Sequence, residues 1–186
     1  PLVFDAYLSI HETVVEDRCL VKPGSLADRL LFRTEKTGCA LADLVLLDTE
    51  ANITYFSEKY DLPREHFVRV WVGADPVFQP MVCNREDGRF RALYFGKFIP
   101  LHGVEHIIRA AWLLRDRPEI EFKFIGDGQT YDEMRKLASD LQLTNIIWGP
   151  RWLPPEQLAQ EVACADVCLG IFGTSPKAQR VIPTKV

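Results

Sequence analysis

The stretch RALYFGKFIPLHG, residues 91–103, passes from a buried strand through a loop into the start of a helix. Its first half is mostly apolar, Gly96 ends the strand, and Lys97 adds a cation to the loop. From residue 104 onward apolar side chains recur at helical spacing, which predicts a helix to about residue 114. A glycine-bearing loop between a strand and a helix presents backbone N–H groups and a positive helix end. The stretch therefore predicts an anion site in an α/β domain.

The composition fits a globular protein and argues against two classes of function. The 186 residues are 47% hydrophobic and carry a formal net charge of −4, whereas a nucleic-acid-binding domain would be basic. No apolar run reaches the roughly 18 residues that a membrane span requires. The length fits one ordinary domain or two small halves.

The cysteines give no sign of a metal site, because their number is odd and their spacing lacks paired ligands. We expect reduced, mostly buried thiols, as in a cytoplasmic protein. The five are Cys19, Cys39, Cys83, Cys164 and Cys168.

Residues 1–80 predict three strands that alternate with two helices. Residues 2–4, 44–47 and 67–72 have the pattern of short strands, and the middle one is continuously apolar, as in a sheet buried on both faces. Ser25 and Thr49 occupy the N-cap positions of the two predicted helices.

Two groups of polar residues in this half leave alternatives open. Asp5 directly follows the first strand, where open α/β sheets place functional groups, and His11 lies in the same loop. Either both are functional groups, or Asp5 caps a turn and His11 is a solvated loop residue. Arg29, Arg33 and Lys36 share one side of the first helix. That side faces either an anionic membrane surface or, as we favour, solvent.

The second half repeats the alternation after a polar, glycine-bearing linker at residues 83–89. Further strands are predicted at residues 121–125, 145–148 and 166–172, with helices between them. In the usual doubly wound order, the first and fourth strands of this half are neighbours, and ligands bind at that switch point. The crevice should then lie between the Gly96–Lys97 loop and the loop of residues 173–176. The chain has no G-x-G-x-x-G sequence after the first strand of this half and no P-loop sequence. A dinucleotide-binding fold and a P-loop NTPase fold are therefore unsupported.

An ordered set of segments in the chain resembles family 4 glycosyltransferases, which are GT-B enzymes with two Rossmann-like domains. The segments YFGKFIPLHG, FIGDG, WGPRWLPPEQL, ADVCLGIF and PTK resemble the donor-binding domain. ADLVLLDT and WVGADPVFQP resemble the end of the acceptor domain and the crossover that follows it. The resemblance implies an α/β fold of the GT-B type with two Rossmann-like parallel-sheet units, each incomplete in this chain. It places the acceptor-side domain at residues 1–80, a linker at 81–90 and the donor-binding domain at 91–186.

The resemblance also implies the site residues. In the family, two cations of the first donor-domain loop bind the diphosphate of the sugar nucleotide. The matching positions are Gly96, Lys97, His102 and Gly103. Lys97 keeps the charge without the fork of an arginine, and His102 is charged only part of the time, because free histidine titrates near pH 6.5. The loops on the nucleoside and sugar side contribute Gly126, Gly128, Gly149, Pro150, Arg151, Trp152, Gly173 and Lys185.

Two positions differ from the family pattern. Asp5 falls near the place where many members have a histidine beside the transferred sugar, and is the candidate catalytic residue. The family's E-x7-E pair is altered or absent, because Arg180 stands at its first position and the second falls beyond Val186.

The resemblance predicts a retaining hexosyltransferase that transfers sugar from a UDP- or GDP-linked donor to a saccharide or lipid-linked acceptor. The expected role is cell-surface polysaccharide or glycolipid synthesis. No metal or cofactor is expected, because cations and helix N-termini can stabilise the leaving diphosphate. No nucleic-acid partner is expected, and the expected location is the cytoplasm, with peripheral contact to the inner face of the membrane as a variant. Two alternatives remain: a non-catalytic sugar-nucleotide-binding or scaffold subunit, and a GT-B nucleotide-sugar epimerase.

The chain starts at Pro1 and ends at Val186, and we expect it to be the middle piece of a longer enzyme. Its three and four predicted strands are fewer than the roughly six of a doubly wound domain. By itself it should therefore be inactive, bind sugar nucleotide weakly and tend to associate.

Overall fold

A computed structural model describes residues 1–183, so the predicted site residue Lys185 lies outside the described residues. The described chain forms two compact α/β units, each with its own parallel sheet. The first unit contains Pro1–Gly73 and Ser175–Ile182, and the second contains Ala74–Thr174. The domain limits 1–80, 81–90 and 91–186 remain a prediction for the full-length protein. In this structure the segment Ser175–Ile182 packs with the first unit, whereas the sequence placed it in the second.

The first unit has the predicted alternation of strands and helices. Its elements are β1 (Val3–Asp5), a π-helical turn (Glu12–Asp17), α1 (Leu26–Leu41), β2 (Leu44–Leu47), α2 (Glu50–Tyr60), a 3-10 turn (Arg64–His66) and β3 (Phe67–Arg69). All three strands are parallel, in the order β1-β2-β3. Ser25 accepts from the backbone N–H of Asp28, and Thr49 accepts from that of Asn52. Both helices therefore begin at the predicted N-caps.

The second unit has four parallel strands. Its elements are β4 (Phe90–Phe95), a 3-10 turn (Pro100–His102), α3 (Val104–Leu113), β5 (Ile120–Ile125), α4 (Tyr131–Asp140), β6 (Ile146–Trp148), α5 (Pro155–Ala163) and β7 (Val167–Leu169). The strand order is β6-β5-β4-β7, with Ala92 opposite Val167. The first and fourth strands are therefore neighbours, as predicted, and the sheet has its switch point between them.

Aromatic side chains form the part of the second core that supports the loops. Tyr94, Phe98 and Phe124 are almost fully buried. Phe98 meets Tyr131 edge to face with 5.0 Å between ring centroids, and Phe124 stacks on Trp148 at 4.9 Å. Large rings packed in this way leave the strand ends little freedom, which gives the loops above them a rigid base.

The structure corrects the prediction that the cysteines are all reduced. Cys83 and Cys164, 81 residues apart, form a disulfide that ties the segment before β4 to the end of α5. Cys19, Cys39 and Cys168 are free, and burial raises the pKa of the Cys39 thiol to about 12. The disulfide was missed because sequence spacing carries no signal for two cysteines that only the fold brings together.

Candidate functional site

Loops from four strands meet at the carboxyl edge of the second sheet. The backbone N–H of Gly126, after β5, donates to the carbonyl of Pro150, after β6, at 3.1 Å. The N–H of Phe172, after β7, donates to the carbonyl of His102, in the turn before α3, at 3.0 Å. The loops that were predicted separately are therefore hydrogen-bonded to one another along this edge.

Two glycines allow these loops to pack backbone against backbone. Gly126 has φ of +137°, and a Cβ atom there would lie 1.9 Å from the carbonyl oxygen of Gly96. Gly103 has φ of +57°, and its Cβ would lie 2.5 Å from the backbone nitrogen of Gly173. Side chains are excluded at both positions, so the loops are in direct backbone contact there.

A cavity of about 210 Å³ lies over the loops after β4, β5 and β6, and five predicted site residues line it. They are Gly96, Lys97, Gly126, Arg151 and Trp152. None of residues 173–176 lines it, so this cavity does not lie between the Gly96–Lys97 loop and that segment, where the sequence predicted the crevice. The other described residues predicted for the site belong to the surrounding loops and not to the cavity wall: His102, Gly103, Gly128, Gly149, Pro150 and Gly173.

Sequence reasoning missed the apolar wall of the cavity. Phe95, Ile125, Leu153 and Leu158 contribute to it, and so does Asp127. The Gly-Asp-Gly sequence could have indicated Asp127, whereas the four apolar residues look like ordinary core positions. The wall gives the cavity a largely apolar surface with a few polar groups, which is typical of small-molecule sites.

The two cations at the cavity differ in their surroundings. The Arg151 guanidinium lies 3.1 Å from Asp127 and 3.3 Å from Asp132, and 4.2 Å from the ring centroid of Tyr131. Lys97 is exposed in the loop after β4. Arg151 is thus held by two carboxylates, and Lys97 is the better placed of the two to meet an incoming anion.

Tyr94 connects the two cationic positions of the predicted phosphate loop. Its hydroxyl lies 2.6 Å from the carbonyl oxygen of Lys97 and 2.7 Å from Nδ1 of His102. Burial raises the pKa of Tyr94, so the hydroxyl stays protonated. Nothing in the sequence pattern distinguishes Tyr94 from a core tyrosine.

In the first unit, Asp5 ends β1 and is exposed, as a group at the edge of a sheet would be. His11 is only 8% exposed and its Nε2 lies 2.7 Å from a carboxylate oxygen of Asp28. The interpretation of His11 as a solvated loop residue is therefore wrong. The helix α1 supplies its partner, which lies 17 residues away in the sequence.

A buried group of charges surrounds the segment Ser175–Ile182 in the first unit. Arg180 pairs with Glu12, and Lys177 lies 3.9 Å from Asp17 and donates to Thr13 at 2.5 Å. Burial lowers the pKa of Lys177, and Asp17 and Glu12 oppose that shift. Arg180, which stands where the family has a glutamate, therefore bonds a glutamate of the first unit in this structure.

Residues 1–183 show neither a membrane-spanning helix nor a cluster of metal ligands. None of their helices is long and apolar enough to cross a membrane. Within the same residues, no group of three or more His, Cys, Asp or Glu side chains could hold a metal ion. The metal-independent chemistry expected from the sequence stays a prediction.

Comparison with known proteins gives matches at the level of structure. No family model and no curated protein matches the sequence. WaaG, a glycosyltransferase involved in lipopolysaccharide biosynthesis, matches with a TM-score of 0.71 and 16% identity over 91% of this chain and 50% of that one. HepE from Anabaena, solved with UDP and glucose, matches with a TM-score of 0.68 and 18% identity over 95% and 47%. TarM matches with a TM-score of 0.60 and 12% identity over 80% and 29%.

These matches show the class of fold. The chain has two parallel-sheet α/β units of the kind found in GT-B glycosyltransferases, as the resemblance in the sequence implied. It spans about half the length of WaaG and HepE.

Proposed function

We propose that the full-length protein is a retaining glycosyltransferase that transfers a hexose from a nucleotide sugar to a saccharide or lipid-linked acceptor. The observation that carries this proposal is the cavity over the loops after β4, β5 and β6, whose lining combines Lys97 and Arg151 with apolar side chains. A lysine suits a diphosphate, and the apolar wall suits a nucleoside. HepE and GtfA, which share the fold, were solved with UDP and a sugar.

In this proposal the second unit stabilises the leaving group. As the bond from sugar to diphosphate breaks, negative charge grows on the phosphate oxygen. The Lys97 ammonium and the N-terminus of α3, which begins at Val104 beside Gly103, would stabilise that charge. Fixed cations of this kind would make a metal or another cofactor unnecessary. Asp5 is the candidate group on the acceptor side.

The cellular role extends the same proposal. WaaG acts in lipopolysaccharide biosynthesis, and this supports a role in cell-surface polysaccharide or glycolipid synthesis. In α1, Leu26 and Leu30 are exposed beside Arg29 and Arg33. An apolar and basic face of this kind supports peripheral contact with an anionic membrane, which sedimentation with anionic vesicles would test.

The proposed cytoplasmic location conflicts with the disulfide, because the cytosol keeps most thiols reduced. If the location is right, Cys83 and Cys164 should react with a thiol reagent in freshly lysed, denatured cells. Protection of both would place the protein in an oxidising compartment.

The test of the proposed function is a calorimetric titration of the full-length protein with UDP and with GDP. Replacing Lys97 by Ala should weaken binding about 10- to 100-fold, because a charge-assisted hydrogen bond contributes about 1.5–3 kcal/mol. Lys136→Ala is the matched control, since Lys136 is an exposed lysine that pairs with Asp140 on α4. Equal affinities for wild type and Lys97→Ala would refute the site. Binding of UDP or GDP without sugar transfer to any acceptor would favour the non-catalytic subunit. Inversion of one stereocentre in the sugar of the nucleotide sugar would favour the epimerase.

A further inference from the structure

The disulfide between Cys83 and Cys164 lies at the amino ends of β4 and β7, at the edge of the second sheet opposite the candidate site. Both cysteines are half-buried and line a cavity of about 440 Å³. Thiol–disulfide exchange requires that a thiolate reach one of the two sulfur atoms. The cavity gives a small thiol this access without unfolding of the unit.

Arg85 joins the same edge of the sheet without a covalent bond. Its guanidinium donates to the backbone carbonyls of Cys164 and Arg89, each at 2.5 Å, and to the carboxylate of Asp166 at 2.6 Å. Asp166 also accepts from the backbone N–H of Arg91 at 2.7 Å. Because these charge-assisted hydrogen bonds connect the starts of β4 and β7, we expect the sheet to stay intact when the disulfide is reduced.

The segment of residues 74–82, directly before Cys83, depends more strongly on the disulfide. All of its residues are described, and they form neither a helix nor a strand. The backbone N–H groups of Phe78 and Gln79 donate within the segment, to the carbonyls of Asp75 and Val77. The disulfide fixes the end of this segment covalently, and a cross-link of this kind restricts the conformations of the chain beside it.

Phe78 connects this segment to the candidate site. Its ring stacks on Phe95, with 6.5 Å between the ring centroids and 21° between the ring planes. Phe95 ends β4 and lines the cavity of about 210 Å³ that carries the proposed function. Cys83 stands five residues after Phe78, so the disulfide limits how far this ring can move away from Phe95.

We propose that Cys83 and Cys164 form a redox switch for the candidate site, because their disulfide holds residues 74–82 in place and keeps Phe78 against Phe95. Reduction releases the segment, withdraws the ring that supports one wall of the cavity, and weakens the binding of a ligand there. The release of the segment stands on the geometry alone, whereas the effect on nucleotide binding rests on the proposed function.

The reaction is an exchange with a small dithiol. A thiolate of the dithiol attacks one sulfur atom, the S–S bond of the protein breaks, and the other cysteine leaves as a thiolate that takes up a proton. The second thiol of the reagent then attacks the mixed disulfide, closes its own S–S bond and frees the second cysteine. The protein gains two electrons and two protons, and the dithiol loses both. The reverse exchange with a small disulfide forms the cross-link again.

The first experiment needs no nucleotide. The full-length protein is oxidised with oxidised glutathione, and one half is then reduced with dithiothreitol at pH 8 without denaturant. Hydrogen exchange at the amides of residues 74–82 should be faster in the reduced half, whereas exchange in β4 and β7 should be unchanged. Failure to form the disulfide, reduction only in urea, or equal exchange in both halves would overturn the inference.

The second experiment measures UDP affinity of the two halves by calorimetry. Reduction should weaken binding about 2- to 10-fold, which is the range expected from the loss of one aromatic contact. Phe78→Ala should bind like the reduced wild type in both redox states. Val82→Ala is the matched control, because Val82 lies in the same segment and is 91% exposed, and it should respond to reduction like the wild type.

The double variant Cys83→Ser/Cys164→Ser tests whether the response belongs to this pair. It should bind UDP like the reduced wild type and should not respond to dithiothreitol. A response that persists in this variant would belong to the free cysteines and would overturn the inference, as would equal UDP affinities of oxidised and reduced wild type. The free cysteines are Cys19, Cys39 and Cys168.

The outcomes separate this proposal from the proposed function. An absence of UDP binding in both redox states would refute the proposed function and the effect on binding together. Hydrogen exchange would then still decide whether the disulfide controls the segment. UDP binding that depends on Lys97 but not on the redox state would leave the proposed function standing and refute the switch.

Discussion

The loop after β1 in the first unit and the loop after β4 in the second are held in place by different means. In the first, the buried carboxylate of Glu35 accepts hydrogen bonds from Ser9 Oγ at 2.8 Å and from the backbone nitrogens of Ile10 and His11 at 2.7 and 3.2 Å. Tyr60 donates to the same carboxylate at 2.5 Å. One charged side chain therefore organises the start of this loop.

The loop after β4 depends on close backbone contact instead. The Gly96 N–H donates to the backbone carbonyl of Ile125 at 3.0 Å. The Phe98 N–H donates to the carbonyl of Asp127, and the Phe98 carbonyl accepts from the N–H of Thr130, each at 3.0 Å. A Cβ atom at Gly128 would come within 2.5 Å of the Phe98 carbonyl oxygen. The loop after β4 therefore depends on glycine residues that permit this contact, whereas the loop after β1 depends on a buried carboxylate. Removing a charge should therefore damage the first unit, and adding a methyl group should damage the second.

The largest effect is expected from unpairing Glu12. Its side chain is only 5% exposed, and Arg180 pairs with it while packing 3.9 Å above the ring of Tyr55. Arg180→Met leaves a buried carboxylate without a partner, and should lower the free energy of unfolding of the first unit by about 3–5 kcal/mol. Urea unfolding followed by a probe in the first unit measures the change.

The matching double variant sharpens this test. Adding Glu12→Leu removes the buried charge as well, so most of the stability should return. Arg64→Met serves as the control, because Arg64 and Glu50 form a half-exposed pair that contributes less than about 1 kcal/mol. A double variant as unstable as Arg180→Met alone would mean that packing by Arg180, and not charge, holds the segment.

A somewhat smaller effect is expected from Gly126→Ala. The added Cβ would lie 1.9 Å from the Gly96 carbonyl at a φ that L-residues rarely adopt, so the loops must move apart. Strain and overpacking together should cost about 3 kcal/mol in stability and widen the cavity. Gly73→Ala, where nothing lies within 4 Å and φ is not positive, is the matched control and should be neutral. Thermal unfolding that is unchanged in Gly126→Ala would show that this loop is pliable.

Local patterns predicted most of the fold, because strand, helix and cap signals depend on near neighbours. Ser25 and Thr49 cap the helices they were expected to cap, and β4 pairs with β7. Helix α4 differs from these two, because Thr130 stands at its N-cap position and its side chain makes no cap hydrogen bond. Its N–H instead donates to Phe98 across the loop.

The parts of the site that could not be predicted depend on long-range contacts. Arg180 forms an ion pair with Glu12, 168 residues away in the sequence, and Cys83 forms a disulfide with Cys164, 81 residues away. Spacing in the sequence encodes none of these, whereas the glycines and Lys97 follow directly from the strand–loop–helix pattern. Sequence reasoning therefore located the loops of the candidate site and missed the contacts that hold the first unit together.

The smallest effect tests the role of charge at the edge of the first loop. Asp28 accepts from the backbone N–H of Gly24 at 2.6 Å and contacts His11 at 2.7 Å. The hydrogen bond from Gly24 is the largest cause that lowers the pKa of Asp28 in the folded state, and the hydrogen bond with His11 is the next largest. A carboxyl whose pKa is lowered by folding stabilises the protein above its unfolded pKa, near 3.9, and loses that contribution as the pH falls through the folded value.

Asp28→Asn should therefore be less stable than the wild type at pH 7, and the difference should shrink below pH 4. Asp116→Asn, at a highly exposed position, should show no such trend. A stability difference for Asp28→Asn that persists unchanged at pH 3 would mean that hydrogen bonding alone, without charge, fixes this end of the loop.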